Sequence, residues 1–326
     1  MKRSTVIYAM LALALTACNN DENLDNPNAP VELRLTSGLE VQTRAASYTQ
    51  STSLVAGEKV YAWVDDAGNN NPEYQARELT ATADEVFTYE PMYFPQTGNG
   101  VSIYALHGKF DPSFNENDAF PSDGVVFSVA ADQSGMGTAY TNSDLLYATK
   151  QDVARTKDQV ELTFYHMLSK MEIAIVRGEG APELANDDAV TIADVVTDGT
   201  FKPTKAADMT DQAARQAMIE AGGRKEQMVV SQRTSPNFGE ANVDYNEVIV
   251  VPQDMLGKKI EFKLAKGGTL SYTIPAFDGN SGRAVFESGK KYIYHITLNL
   301  TGVEVSASIE NWGNDGRTTI GNAEME

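Results

Sequence analysis

The side chains able to do chemistry are few and scattered. Histidine stands at positions 107, 166 and 295. Each lies in a strand-like run, so the three read as packed or edge residues rather than as one ligand set. There is no HExxH spacing and only one cysteine, so no zinc motif is present. GxSxG, GxGxxG and the P-loop pattern are also missing. Ser281-Gly282-Arg283 reads as a turn, not a nucleophile elbow. Asp65-Asp66 and Asp187-Asp188 pair carboxylates in loop contexts. Calcium would need a ladder of further oxygen ligands; none follows, so solvated loop charge is the better reading. Catalysis needs convergent groups, and with none in view neither an enzyme nor a cofactor is expected.

One residue points to chemistry performed on the chain. Cys18 ends the stretch Leu15-Thr16-Ala17-Cys18, behind Lys2, Arg3 and the apolar run 6–17. That run is too short to cross a bilayer of ~30 Å and matches a secretory signal peptide. The ending resembles a bacterial lipobox. There the cysteine becomes the first mature residue, its thiol carries diacylglycerol and its freed amine is acylated. Several acyl chains anchor stably where one binds marginally. Residues 1–17 are therefore expected to be a lipoprotein signal, and residues 18–30, polar and acidic, a flexible tether. Acidic residues just after such a cysteine resemble surface-export signals, so the outer membrane and cell surface are the expected location.

Composition narrows the partners. The net charge of −19 deepens when the signal removes Lys2 and Arg3. Such a surface repels phosphate backbones, which excludes nucleic acid, and it offers no polybasic membrane contact. At 326 residues and 42% hydrophobic, the chain is long enough for two cores.

Period-2 patterns dominate the scaffold. Val31, Leu33 and Leu35 alternate with polar residues, and Gly38 is read as interrupting that strand. Further strands are expected at 60–64, 101–107, 125–129, 160–165, 170–176, 190–196, 247–251, 259–264, 269–274, 291–300 and 303–309, with Gly- and Asn-rich turns between. In residues 160–165, Leu162 and Phe164 should share the buried face. Residues 209–221, with Asp208 before and Gly222-Gly223 after, predict one short surface helix. The polar stretch 178–188 is the expected boundary, giving an N-terminal β-sandwich at 31–180 and a C-terminal one at 181–326. The expected class is all-β. The 14 tyrosines, with Trp63 and Trp312, offer either sugar-stacking surfaces or, more ordinarily, sandwich cores.

Three passages together resemble the fimbrillin family, the type V pilus subunits and their accessory proteins. The first is Asp144-Leu145-Leu146-Tyr147-Ala148 followed by Val160 to Met171, with Phe164, His166, Leu168, Ser169 and Lys170 in the family's spacing. The second is Val251-Pro252-Gln253. The third runs from Gly289-Lys290-Lys291-Tyr292 to Thr297-Leu298 and closes at Trp312. The resemblance implies two transthyretin-like Greek-key β-sandwich domains and export as a lipoprotein. In stalk subunits it implies removal of an N-terminal strand by an arginine-specific protease and filling of the groove by another subunit's strand. Carried onto this chain, cleavage falls between Arg44 and Ala45, in a polar stretch. The removable strand carries Val31, Leu33 and Leu35. The candidate donor strand carries Val303, Val305, Ala307 and Ile309, which is equally readable as a last core strand. Partners are then other fimbrial subunits, with a lipid anchor before processing. The alternative is a monomeric surface lipoprotein binding host glycans or proteins.

Overall fold

The computed structural model describes residues 30–39, 54–134, 138–178, 180–185, 189–233, 243–277, 281–299, 302–312 and 314–323. Cys18, Arg44, Ala45 and Asp187-Asp188 lie outside these residues. The chain is all-β. Its elements run β1 Glu32–Leu39, β2 Lys59–Asp66, β3 Pro72–Ala81, β4 Phe87–Thr88, β5 Met92–Tyr93, β6 Val101–His107, β7 Val125–Ser128, α1 Thr138–Thr141, β8 Leu146–Val153, β9 Gln159–His166 and β10 Ser169–Arg177. Then follow β11 Val190–Val196, β12 Asp198–Phe201, α2 Gln212–Ala217, β13 Ile219–Ala221, β14 Lys225–Val229, β15 Ser231–Arg233, β16 Val243–Val250, β17 Lys259–Lys263, β18 Thr269–Thr273, β19 Lys290–Asn299, β20 Gly302–Asn311 and β21 Asn314–Ala323.

The early strands form one sheet in the order β4-β3-β2-β6-β8-β9-β1-β5. It folds over where β8 meets β9 through only two residue pairs, Leu146 opposite His166 and Tyr147 opposite Tyr165. The folded sheet encloses an apolar cluster drawn from residues 31 to 164, with Leu33, Val64, Leu79, Ile103, Leu162 and Phe164 at its centre. Leu162 and Phe164 are buried while Thr163 and Tyr165 are not, as period 2 requires. The later strands form sheets β15-β16-β10-β19-β20-β21 and β14-β11-β17-β18, packed around a second cluster.

Several expected boundaries move. Strand β10, read as closing the first half, pairs antiparallel with β16 and parallel with β19, so it is a central strand of a later sheet. The change-over falls at Met167-Leu168, where the chain passes from β9 to β10 without a polar linker. Strand β7 also crosses over, pairing with β12. The buried Gln133 side chain bonds both the N–H and the C=O of Ile249 at 3.0 Å. The helix is shorter than residues 209–221: Asp211 caps it, accepting from the Ala213 N–H at 2.9 Å, and Met218 ends it. Ile219–Ala221 is instead held extended by pairing with β12.

Candidate functional site

The candidate site is the groove that β1 fills. Its side chains alternate as expected, Leu33 being 0% and Leu35 2% exposed, with Val31 and Leu39 also buried. One edge of β1 is laddered continuously and in parallel to β9, from Arg34 opposite Gln159 to Leu39 opposite Phe164. Gly38 does not break the strand. A Cβ there would lie 2.5 Å from Glu161 Oε1, so a glycine suits a close approach rather than a turn.

The other edge is held at separate points. Strand β5 covers only Glu32 and Leu33, and the Phe94 N–H donates to the Val31 carbonyl at 2.9 Å. Further along, the Ser37 N–H donates to the Glu85 carbonyl at 2.8 Å, beside a bridge between Thr36 and Val86. Between these points a side chain stands in for a strand. The Tyr89 hydroxyl donates to the Leu33 carbonyl at 2.6 Å and accepts from the Leu35 N–H at 2.9 Å. Burial raises the Tyr89 phenol above its ordinary pKa, against the opposing pull of the Leu35 N–H. Sequence reasoning missed Tyr89. It sits beside Glu90-Pro91 in a segment without periodicity, so no pattern marked it.

At the opposite end, the four residues named as a donor strand lie in β20. Val303 and Val305 are buried, Ala307 and Ile309 half-buried. Strand β20 has a neighbour on both edges: β19 over ten registered residues, and β21. Residues 314–323 supply β21, which pairs with β20 alone among the described residues.

The motif residues converge elsewhere, at the β9–β10 change-over. His166 meets Asp144 at 3.0 Å and stacks on Trp312 with ring centroids 3.8 Å apart. The buried Lys170 ammonium lies 2.9 Å from Glu172 and 2.7 Å from Glu247, and 5.8 Å from the Trp312 ring centroid. Burial alone would push Lys170 down; the two carboxylates override it and hold the ammonium well above its ordinary pKa. Gly289 has φ +68°, and the Arg215 guanidinium lies where its Cβ would be. In the short motif, the Gln253 amide bonds the N–H and C=O of Val196 at 2.9 and 3.0 Å. His166 with Trp312, and Gln253 with Val196, link separate sheets, whereas Lys170, Glu172 and Glu247 tie neighbouring strands of one sheet.

The remaining candidates are also placed. His107 packs its ring nitrogens against the carbonyls of Lys59 and Thr141, and His295 is exposed on β19. Asp65 pairs with Lys205. Asp66 ties a turn, accepting from the Gly68 N–H at 2.7 Å, Asn99 at 2.9 Å and Thr97 at 3.1 Å. Burial pushes the Asp66 carboxyl up, but these donors together hold it below its ordinary pKa. No cluster of metal-ligating side chains occurs among the described residues, and none of their helices is long and apolar enough to cross a membrane.

The chain belongs to the fimbrillin-like family, whose model matches residues 43–312. It is 28% identical to the "Putative fimbrium subunit Fim1C" of Bacteroides uniformis, over 99% of this chain and 100% of that one. Crystal structures of a "putative cell adhesion protein" from Bacteroides uniformis and of another from Bacteroides ovatus share the fold. Their TM-scores are 0.59 and 0.60 at 21% and 14% identity, each covering 87% of this chain and 99% and 98% of its own. The chain thus belongs to a fimbrial, structural family and not to an enzyme class.

Proposed function

We propose that the chain is a fimbrial subunit that joins its neighbours by strand exchange, with β1 as the strand that is replaced. The observation that supports this is the uneven hold on β1. Its apolar side chains fill the core and one edge is fully laddered, yet the other is held at isolated points. A strand freed from the following chain can leave such a seat, exposing an apolar groove with unpaired edges that captures another extended chain. In this reading the protein is exported as a lipoprotein through Cys18 and trimmed between Arg44 and Ala45, which severs β1 from β2. Residues 303–309 remain the proposed donor, because Val303, Val305, Ala307 and Ile309 match the period of the groove; donation then requires β20 to be released from both β19 and β21.

The test is trimming of purified chains with an arginine-specific protease. Trimmed protein should form ladders that survive detergent, and Arg44→Ala should stay monomeric. Arg44→Ala chains that polymerise at the unmodified rate would overturn the role of trimming.

A further inference from the structure

Resting on the strand-exchange reading, we infer that Tyr89 is a register-setting residue of the groove. It holds β1 now and would hold any extended chain that replaces it. The inference starts from the alternation of a strand. Residues two apart direct their N–H and C=O groups to the same edge. On β1 the odd-numbered residues turn their side chains into the core and their backbone groups toward the point-held edge. Val31 C=O, Leu33 C=O, Leu35 N–H and Ser37 N–H all find partners there.

Strand β5 ends opposite Leu33, and the next backbone contact comes only at Thr36 and Ser37. The gap between them would leave a carbonyl and an N–H of β1 without a backbone partner. One hydroxyl closes it, since an O–H donates once and still accepts. The contact reads backbone and not side chain, so it tolerates any sequence. It is nonetheless strict about register. A slip of one residue turns the apolar side chains outward and swaps the backbone edges. A slip of two places Ser37 or its equivalent in the Leu35 seat. An occupant must also present a free N–H at the Leu35 position.

Residue-resolved hydrogen exchange on the full chain tests the hydroxyl. Tyr89→Phe keeps the ring and removes one oxygen. The Leu35 amide should exchange about 10- to 100-fold faster, as expected when a buried donor loses its acceptor. The Phe94 amide, bonded to Val31, should change less. Tyr89→Leu separates ring packing from hydrogen bonding. If Tyr89→Phe behaves as the unmodified chain while Tyr89→Leu exposes Leu35, the inference is wrong. It is equally wrong if the Leu35, Ser37 and Phe94 amides all rise together by the same factor in Tyr89→Phe.

A second arm uses the full chain nicked between residues 39 and 54, both pieces retained. It is challenged with a labelled peptide of residues 31–39 and with the same peptide carrying N-methyl-leucine at position 35. The plain peptide should exchange in, and the methylated one at least about 10-fold less. Equal entry of both overturns the register role. Entry of neither contradicts strand exchange itself, and leaves the hydrogen-exchange result to decide Tyr89.

Discussion

Replacing Lys170 with methionine probes why the motif around residues 144–171 exists. The substitution keeps length and apolar stem and deletes the charge. It removes the nearest counter-charge of Glu172 and Glu247, 2.9 and 2.7 Å from the lost ammonium, in a buried site. Removing one partner of a buried ion pair costs ~3–5 kcal/mol. The lower end applies, because Lys291 remains 3.7 Å from Glu172. At ~2–4 °C per kcal/mol for a unit of this size, the melting temperature should fall by about 6–12 °C. The assay is calorimetry at neutral pH. Adding Glu247→Gln should recover most of the loss, since neutralising both partners removes the charge imbalance. A melting shift of Lys170→Met below about 2 °C, or no recovery in the pair, would show that the charges are solvated and that this cluster does not tie β10 to β16.

Phe164→Ala should cost ~3–5 kcal/mol, measured by denaturant unfolding, because Phe164 is fully buried in the cluster that β1 completes. Asp66 should contribute to an acid limit. A carboxyl held low in the folded chain gives stability that is present above its unfolded pKa and lost as pH falls through its folded one. Melts should therefore drop below about pH 4, and less steeply in Asp66→Asn. Cys18→Ala should abolish metabolic labelling with a fatty-acid analogue, and equal labelling of mutant and unmodified chains would remove the lipid anchor from the account.

Strands with one wet face were readable from sequence. Residues 31–35 and 160–165 alternate, and both take the expected faces. Strands β2 and β6 were found but not their setting. Val64 and Ile103 face the first core, while Trp63 and Tyr104 on the reverse faces pack under Phe120, with centroids 5.7 and 5.4 Å apart. Period 2 vanishes when both faces are buried. The motif residues were visible as a pattern, but their convergence depends on pairs separated widely in sequence. Asp144, His166 and Trp312 come together because β20, pairing with β19, brings Trp312 back to the end of β9. Strand β21 was illegible because its residues, Asn314-Asp315-Gly316-Arg317 onward, carry the composition of a loop; pairing with β20 makes them a strand. Tyr89 was illegible because its role depends on where β5 ends.

The central claim is that β1 must leave its seat for subunits to join. Thr36 and Glu161 are register partners on the outward face of β1 and β9, where strand spacing of about 4.8 Å suits a disulfide. Thr36→Cys and Glu161→Cys, in a Cys18→Ala chain, would tether β1 reversibly. After trimming with an arginine-specific protease, oxidised protein should remain monomeric, and the same sample should form detergent-resistant ladders once reduced. Ladders of equal length and rate from the oxidised, tethered protein would contradict the account.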